Sequence, residues 1–342
     1  MKPNLFKYAT SELSQDAIIC WLLEWAKPEN KNENTELHQV GKLFLDSLFD
    51  KFDDKETPNQ YNTIKIIKQY KDIDVFCVVN EKYALIIEDK TNTKDHSGQL
   101  DKYFKEINKK YDKSKIFPIY FKTGDQSNYS KIIDKDYKIY LRKDFLALLD
   151  NPFKSDILED YKSHLQKIED SVNSYKTVEI TSWNRNAIKG FYLALQKELG
   201  EGHWDYVANP SGGFLGFWWN KHQLDEYKIY MQIEQVKIPK KSEESAKRYI
   251  PQYGFVLKFK LSSGTKEKVD KSIINKWKKH IINDTPSIKK PRVVRAGRWT
   301  TIGLMNEDFI AIDENRKVCI SKTVENLKKI EQVLKDKVDT AI

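Results

Sequence analysis

The sequence predicts two domains in succession, an α/β domain over residues 1–175 and an α+β domain over residues 176–342. Two observations favour this division. The chain has 342 residues, which is longer than most single domains. In addition, helical and strand periodicities alternate in the first half, whereas after Gly200 the pattern becomes mainly that of strands joined by short turns.

The first half begins with two helical segments and continues with strands. Leu13–Trp25 is apolar almost all round, which predicts a buried helix capped by Ser11 or Ser14. Val40–Phe52 has amphipathic helical spacing, and Thr63–Tyr70 has the composition of a first strand. The other expected elements are a hairpin over 71–90, a helix over Ser97–Tyr111, strands over Ile116–Phe121 and Tyr137–Leu141, and a helical stretch from Phe145 to about Ser174.

The second half is expected to open with one helix, which ends at Gly200, and to continue as a sheet with further helices. The two predicted strands of the segment Trp204–Trp219 are rich in aromatic residues. Aromatic residues on paired strands are typical of a packed core, but also of a surface on which bases stack. The expected elements are strands at Trp204–Ala208, Phe214–Trp219, Tyr227–Val236, Tyr253–Leu261, Arg298–Leu304 and Phe309–Ile312, a charged loop at Ile238–Arg248, and helices at Lys266–Ile282 and Val324–Val338.

A hairpin in the first domain carries the residues on which a functional hypothesis depends. Two apolar runs, Val75–Val79 and Ala84–Ile87, flank a polar, turn-like break. Successive side chains of a strand point to opposite faces, so Asp74 is assigned to one face of the first strand, and Glu88 and Lys90 share a face of the second. Two acidic residues and a lysine are therefore expected to converge at one end of the hairpin.

This combination of side chains indicates a particular chemistry. Two adjacent carboxylates repel each other unless a hard cation lies between them, and Mg²⁺ is commonly held by one or two carboxylates together with a substrate phosphate. A metal-activated water becomes a nucleophile near neutral pH, and a nearby lysine can orient it or stabilise charge on a phosphate. The pattern favours phosphodiester hydrolysis. The alternative is ordinary charge at the end of a buried hairpin.

Six residues of the hairpin and the following helix form an ordered set: Asp74, Glu88, Asp89, Lys90, Gln99 and Tyr103. The set resembles the PD-(D/E)XK nuclease superfamily, and more narrowly its bacterial branch with the core IDV…IIENK…GQL..Y. Segments 12–23 and 37–45 extend the resemblance upstream. It implies a restriction-endonuclease-like α/β core, a mixed sheet flanked by helices, ahead of the C-terminal α+β domain.

The resemblance also implies roles for the central residues. Asp74 and Glu88 would bind Mg²⁺, for which Mn²⁺ could substitute, and the backbone carbonyl of Asp89 would add a ligand. Lys90 would act on the attacking water. Asp89 stands where this branch usually has Asn, and its side chain is expected to point away from the site.

Residues around this centre are assigned by the same resemblance. Gln99 is predicted to be an active-site or phosphate contact, and Tyr103, four residues later, shares its helix face. Tyr103 and Lys94 are expected to contact nucleic acid. Glu12 is predicted to be catalytic, because an acid from the leading helix can reach the metal centre in related nucleases. For Asp16, on the same helix face, the simpler interpretation is a helix-start charge.

The net charge of +9 belongs wholly to residues 151–342, because the preceding residues hold equal numbers of basic and acidic side chains. Residues 262–300 alone carry 11 basic and 3 acidic residues. Within them Arg292, Arg295 and Arg298 are predicted to bind nucleic acid, since guanidinium groups suit phosphates and guanine edges. The alternative is a solvated, lysine-rich surface.

Several classes of protein are excluded or disfavoured. The chain has no P-loop, GxGxxG, CxxC, HExxH or GxSxG motif, which excludes the familiar ATPase, redox and serine-hydrolase machinery. No apolar run approaches the ~20 residues that span a bilayer, and the N-terminus lacks the apolar region of a signal peptide. Cys20, Cys77 and Cys319 lie far apart and are expected to be buried thiols, so a cytoplasmic protein is predicted.

The function that follows is a Mg²⁺-dependent endonuclease acting on DNA, and the resemblance implies a bacterial role in restriction or anti-phage defence. An RNA-directed nuclease is a weaker alternative. A further alternative is a nucleic-acid-binding or sensor protein with a gated or degenerate nuclease fold. No membrane partner is expected, and a homodimer or a partner protein is left open.

Overall fold

A computed structural model describes residues 3–95, 98–151, 153–210, 212–236, 253–283, 285–305 and 309–341. The chain divides into two compact units, Met1–Asp170 and Ser171–Ile342. The loop predicted at residues 238–248 lies outside the described residues.

The first unit is built on a five-stranded mixed sheet flanked by helices, as predicted. The strand order is β1-β2-β3-β4-β5; β1, β2 and β3 are antiparallel, whereas β3, β4 and β5 are parallel. The strands are β1 Ile64–Tyr70, β2 Ile73–Val79, β3 Tyr83–Lys90, β4 Ile116–Lys122 and β5 Lys138–Leu141. The helices are α1 Glu12–Trp25, α2 Thr35–Phe49, α3 Gln99–Ile107, α4 Ser130–Ile133, α5 Arg142–Leu148 and α6 Asp156–Asn173.

Apolar residues cover both faces of this sheet, which is why β3 is buried along its whole length. On one face Leu85 belongs to a cluster with Leu22 of α1 and Phe44 of α2. On the other face Ile86 belongs to a cluster with Leu100 of α3. The polar residues at the end of β3 therefore lie between helices that pack on opposite faces of the sheet.

The predicted elements of this unit are largely confirmed, with differences at their ends. The Ser11 side chain accepts a hydrogen bond from the Ser14 amide and so caps α1. Helix α2 begins five residues before the predicted Val40, because Asn34 caps it by accepting from the Leu37 amide. The single helical stretch predicted from Phe145 is two helices, α5 and α6.

The second unit contains a six-stranded antiparallel sheet with the order β10-β11-β9-β8-β7-β6. The strands are β6 His203–Val207, β7 Phe214–Leu224, β8 Tyr227–Gln235, β9 Phe255–Ser262, β10 Ile288–Lys289 and β11 Trp299–Met305. The helices are α7 Arg185–Leu199, α8 Lys271–Ile282 and α9 Ile320–Asp339. The strand predicted at Phe309–Ile312 is wrong, since only Ile312 forms a bridge there, with Val318.

Three of the six aromatic residues of the Trp204–Trp219 segment belong to the core of this unit. Trp204, Phe217 and Trp219 are at most 3% exposed and cluster with residues of α7 and α9. Of the cysteines, Cys77 is buried and Cys20 half-buried, but Cys319 is exposed, so its prediction as a buried thiol is wrong. Among the described residues, no helix combines the length and the apolar character that crossing a membrane requires.

Candidate active site

The register of the hairpin brings the two predicted metal-binding carboxylates together. Val75 of β2 is paired with Ile87 of β3, and continuing this antiparallel register sets Asp74 opposite Glu88. The Asp74 side chain is 22% exposed, whereas that of Glu88 is fully buried. Asp74 also accepts a hydrogen bond of 2.9 Å from the Asp89 amide, which fixes the position of its carboxylate at the end of β3.

Lys90 contacts each of the groups that the sequence assigned to a metal. Its Nζ lies 2.5 Å from Glu88 Oε1 and 3.6 Å from Asp74 Oδ2. The same Nζ donates a hydrogen bond of 2.9 Å to the Asp89 carbonyl oxygen. The side chains of Asp74 and Glu88 and the Asp89 carbonyl therefore converge on the Lys90 ammonium. This confirms the geometry expected of Asp74, Glu88 and Lys90, and their roles stay predictions.

Burial and mutual repulsion shift the protonation of these groups. Burial, followed by the negative charge of Asp74, raises the pKa of Glu88 to about 8, although Lys90 opposes the shift. Burial by itself lowers the pKa of Lys90, but the Glu88 and Asp74 carboxylates outweigh it and hold that pKa above its usual value. In the absence of a further cation, Glu88 therefore retains a proton at neutral pH.

Asp16 of α1 also belongs to this centre, although it was interpreted as a helix-start charge. Its side chain is 1% exposed, and burial followed by the charge of Asp74 raises its pKa to about 7. No described group donates a hydrogen bond to Asp16 Oδ1. A signal was present in the sequence, since Asp16 lies four residues after Glu12 on a helix that is otherwise largely apolar.

The oxygens at this centre fit a hard divalent cation. Within the described part of the chain, neither Glu88 oxygen accepts a well-oriented hydrogen bond, although Lys90 lies at ion-pair distance. Buried carboxylate oxygens without donors are costly, and a cation would satisfy them. No three His, Cys, Asp or Glu side chains among the described residues form a metal cluster. A cation would therefore complete its coordination with the Asp89 carbonyl, water or substrate, as Mg²⁺ commonly does.

Glu12 joins α1 to the segment that follows β3. Its Oε1 accepts hydrogen bonds from the Thr91 amide at 2.9 Å and from Thr93 Oγ1 at 2.5 Å. Burial acts to raise the pKa of Glu12, but these hydrogen bonds and the nearby lysines lower it overall. Glu12 is therefore ionised at neutral pH and positions the segment beside the site, and its catalytic role stays a prediction.

A second buried lysine in this region was not found from the sequence. Lys122 of β4 is the register partner of Lys90 and is 1% exposed. It donates a hydrogen bond to the Thr93 carbonyl oxygen. No local pattern distinguishes it from the many other lysines, because its position depends on the parallel pairing of β3 with β4.

Gln99 and Tyr103 share one face of α3, as predicted. Gln99 Nε2 donates a hydrogen bond of 2.7 Å to the Tyr103 hydroxyl. Burial raises the pKa of Tyr103, as do the charges of Glu88 and Asp74, whereas the hydrogen bond with Gln99 lowers it. Tyr103 is only 3% exposed, so its ring offers little surface to a base. Lys94 is half-buried in the connection after β3.

The predicted nucleic-acid-binding arginines belong to the second unit. Arg292, Arg295 and Arg298 are exposed and lie between β10 and the start of β11. The Arg298 guanidinium lies over the Trp299 ring, 4.7 Å from its centroid. Their exposure fits a binding surface, and their role stays a prediction.

A comparison with protein families identifies the class of protein to which this site belongs. A family model described as the PD-(D/E)XK nuclease superfamily matches residues 3–206, more than half of the chain. The chain belongs to the PD-(D/E)XK nuclease superfamily. No curated protein and no solved structure matches it. Members of the superfamily are nucleases that generally use divalent metal ions, so this chain is assigned to metal-dependent phosphodiester hydrolysis as a class, with nucleic acid as its substrate.

Asp89, at the position where the resemblance implies Asn, is held in a buried polar network. Gln15 of α1 donates a hydrogen bond to Asp89 Oδ1, and Thr123 Oγ1 donates one of 2.6 Å to Gln15 Oε1. Burial, followed by the charges of Asp16 and Asp74, raises the pKa of Asp89 well above its usual value. The Asp89 side chain thus contacts α1 through Gln15, whereas its backbone amide donates to Asp74 and its backbone carbonyl accepts from Lys90.

The substitution Asp89→Asn is expected to raise the free energy of unfolding at pH 8, on the order of 1 kcal/mol or more. Asn fills the same volume, can pair with Gln15, and removes a buried carboxyl group whose ionisation is opposed by burial and by the charges of Asp16 and Asp74. Urea unfolding at pH 8 measures the effect, with Asp54→Asn, an exposed carboxylate near Lys138, as the matched control. A lower free energy of unfolding in Asp89→Asn would contradict the expectation.

Proposed function

We propose that the protein is a Mg²⁺-dependent endonuclease that acts on DNA. The buried Glu88 carboxylate carries the proposal, because its oxygens lack well-oriented donors and it lies beside both Asp74 and Lys90. Burying two carboxylates and a lysine together is costly, and an enzyme that binds a cation and a phosphate has a reason to keep them.

Asp74, Glu88 and the Asp89 carbonyl would hold the cation. When bound, Mg²⁺ acidifies a water molecule and stabilises the negative charge that develops on the scissile phosphate. Binding requires Glu88 to release its proton and Lys90 to give up its contact with the carboxylates. The Lys90 ammonium is then available to orient the attacking water or to stabilise the phosphate.

The surrounding residues would position the substrate. The Gln99 amide, held by Tyr103 at the start of α3, would contact a phosphate oxygen next to the scissile bond. Lys94 would add a positive charge in the same connection. Glu12 would act indirectly, since its hydrogen bonds with Thr91 and Thr93 fix the segment that leaves β3.

We assign hydrolysis to the domain 1–175 and substrate engagement to the domain 176–342. The exposed arginines Arg292, Arg295 and Arg298 support this division, because guanidinium groups bind phosphates and guanine edges. A cytoplasmic role in restriction or anti-phage defence is consistent with such an enzyme. A homodimer would allow both strands of a duplex to be cut.

One observation favours the alternative of a gated nuclease or sensor. The Lys90 ammonium lies 2.5 Å from Glu88, so the cationic position between the carboxylates is taken by a side chain. A trigger that withdraws Lys90 would then control cation binding. Such a protein would bind DNA without cutting it until the trigger is present.

The proposal is tested by cleavage of plasmid DNA, single-stranded DNA and RNA with Mg²⁺, Mn²⁺ or EDTA. We expect DNA cleavage with Mg²⁺ or Mn²⁺, none with EDTA, and a loss of about 100-fold or more in Asp74→Asn. The matched control is Asp72→Asn, an exposed carboxylate paired with Lys102, which should cut at the parental rate.

Two outcomes would contradict the proposal. Equal cleavage by Asp74→Asn and the parent would place the chemistry elsewhere. A parent that binds DNA in a salt-sensitive manner but cuts no substrate with either metal would favour the gated or sensor protein instead.

A further inference from the structure

The sheet of the second unit has a polar face opposite its hydrophobic core. Paired residues on neighbouring strands share a face, and Lys260 of β9 is paired with Tyr230 of β8 and with Thr301 of β11. In the next row Gln232 of β8 is paired with Lys258. The core takes the alternate residues of these strands, among them Met231, Leu257, Phe259 and Leu261.

Two lysines lie near the middle of this face, and only one of them has a carboxylate partner. Lys258 Nζ lies 2.5 Å from Glu234 Oε2. Lys260 is half-buried and donates a hydrogen bond of 3.2 Å to Thr301 Oγ1. In the described part of the chain, no carboxylate lies within ion-pair distance of Lys260. A half-buried cation without a counter-ion is a ready partner for an anion from outside the chain.

The pKa of Lys260 is consistent with the lack of a carboxylate within ion-pair distance among the described residues. Burial, followed by the positive charge of Lys258, lowers the pKa of Lys260 to about 8, and Glu234 opposes the shift. Tyr230, the partner of Lys260 on the neighbouring strand β8, remains neutral because burial raises its pKa to about 12. A bound phosphate would reverse the shift and keep Lys260 charged.

Aromatic side chains lie on the same face to either side of the lysines. Trp218 of β7 is paired with Gln232, which is itself paired with Lys258, and Trp218 is half-buried. Trp299, at the start of β11, is 58% exposed and carries Arg298 over its ring. Positive charge between aromatic rings is the arrangement that proteins use to bind single strands, with bases stacked on the rings and phosphates near the cations.

We propose that this polar face, defined by Trp218, Lys258, Lys260 and Trp299, binds a single-stranded segment of nucleic acid. The proposal deepens the proposed function, on which it rests, by naming the strand form that the second domain engages. Lys258 and Lys260 contact phosphates, and the two tryptophans stack on bases. In the strand order, β7, which carries Trp218, lies three strands from β11, which carries Trp299, and neighbouring strands are ~4.8 Å apart. The two tryptophans are therefore far enough apart for a short stretch of nucleotides to lie across the face.

The aromatic residues favour a single strand over a duplex. In a duplex the base faces are stacked on one another, so an intact double helix presents mainly phosphates and groove edges. Trp218 and Trp299 would add nothing to its binding. A single strand presents both the base faces and the phosphates that this surface can recognise.

The test measures binding in EDTA, where cleavage cannot occur, to a fluorescent oligothymidylate and to a duplex of equal length. We expect the parent to prefer the single strand, and Lys260→Met and Trp218→Ala each to weaken that binding about 10-fold. Lys276→Met, the same change at an exposed lysine of α8, is the control and should keep parental affinity. Unchanged affinity in both face variants, or a parental preference for the duplex, would overturn the proposal.

Thermal unfolding separates a binding role of Lys260 from a structural one. Because Lys260 is a half-buried cation without a carboxylate partner among the described residues, Lys260→Met should raise the Tm at pH 7 while weakening binding. If Lys260→Met lowers the Tm and also weakens binding, the role of Lys260 is structural. Parental binding by Trp218→Ala would in that case overturn the proposal. Since no metal is present, failure of the parent to cut DNA leaves this result interpretable.

Discussion

Replacement of Lys90 by alanine is expected to lower metal-dependent cleavage by about 100- to 1000-fold. Lys90 is the cation nearest to both Glu88 and Asp74, at 2.5 Å and 3.6 Å. Its loss removes the positive charge that would act on the attacking water or the phosphate. The rate of plasmid cleavage at saturating Mg²⁺ measures the effect.

The control for this variant lies on the same hairpin. Lys82, in the turn between β2 and β3, forms an exposed ion pair of 3.1 Å with Glu56, so Lys82→Ala removes a surface charge without touching the site. It should cut at the parental rate. Because Lys90→Ala leaves two carboxylates without their lysine, its folded fraction is measured by circular dichroism. A folded Lys90→Ala that retains more than a tenth of parental activity would exclude a catalytic role for Lys90.

The metal-free protein is expected to lose stability as the pH rises from 5 to 8.5. The folded-state pKa of Glu88 is raised to about 8 and that of Asp16 to about 7, from ordinary values of 4.5 and 3.8. The folded protein therefore retains protons that the unfolded chain releases. Their contribution to stability is complete below about pH 4 and is lost as the pH rises through 7 and 8, with a magnitude on the order of a few kcal/mol.

The charged groups that face Glu88 act on its pKa in opposite directions. Asp74 raises the pKa of Glu88 and Lys90 lowers it, with burial as the largest effect. Tyr103 stays neutral in this range because burial raises its pKa. Glu12, whose pKa is lowered, contributes the opposite pH dependence, but only in the acid range below the one tested.

Thermal unfolding in EDTA and in Mg²⁺ across this pH range checks the expectation. Mg²⁺ should raise the Tm more at pH 8 than at pH 6, because it binds the ionised carboxylates. Glu88→Gln should reduce the pH dependence in EDTA, leaving the part that Asp16 contributes, and abolish the response to Mg²⁺. Glu81→Gln, at an exposed position in the hairpin turn, is the control and should behave as the parent. A Tm in EDTA that does not fall with pH would contradict the proposed burial of protonated carboxyl groups.

Local periodicity was sufficient to predict the centre of the site. The alternation of a strand assigned Glu88 and Lys90 to one face, and the hairpin turn set the antiparallel register that brings Asp74 opposite Glu88. Helical spacing likewise predicted that Gln99 and Tyr103 share a helix face, on which the structure shows a hydrogen bond between them. These relations depend only on residues close in sequence, so the sequence by itself determined them.

The surroundings of the site depend on segments that are distant in sequence. Asp16 is buried beside Asp74, and Gln15 reaches Asp89, because α1 packs against the end of a strand more than 70 residues later. The partners of Lys122 follow from the parallel pairing of β4 with β3. Burial, and with it the pKa of each carboxyl group, is set by these contacts and has no local signal.

The same distinction applies to the second unit. The sequence determined that Trp218 stands between Phe217 and Trp219 in one strand, and hence that it lies on the face opposite both. Only the strand order, which sets β9 between β8 and β11, decided that Lys260 lies between Tyr230 and Thr301 without a carboxylate partner among the described residues. Strand order is fixed by long-range packing, which local propensity does not encode.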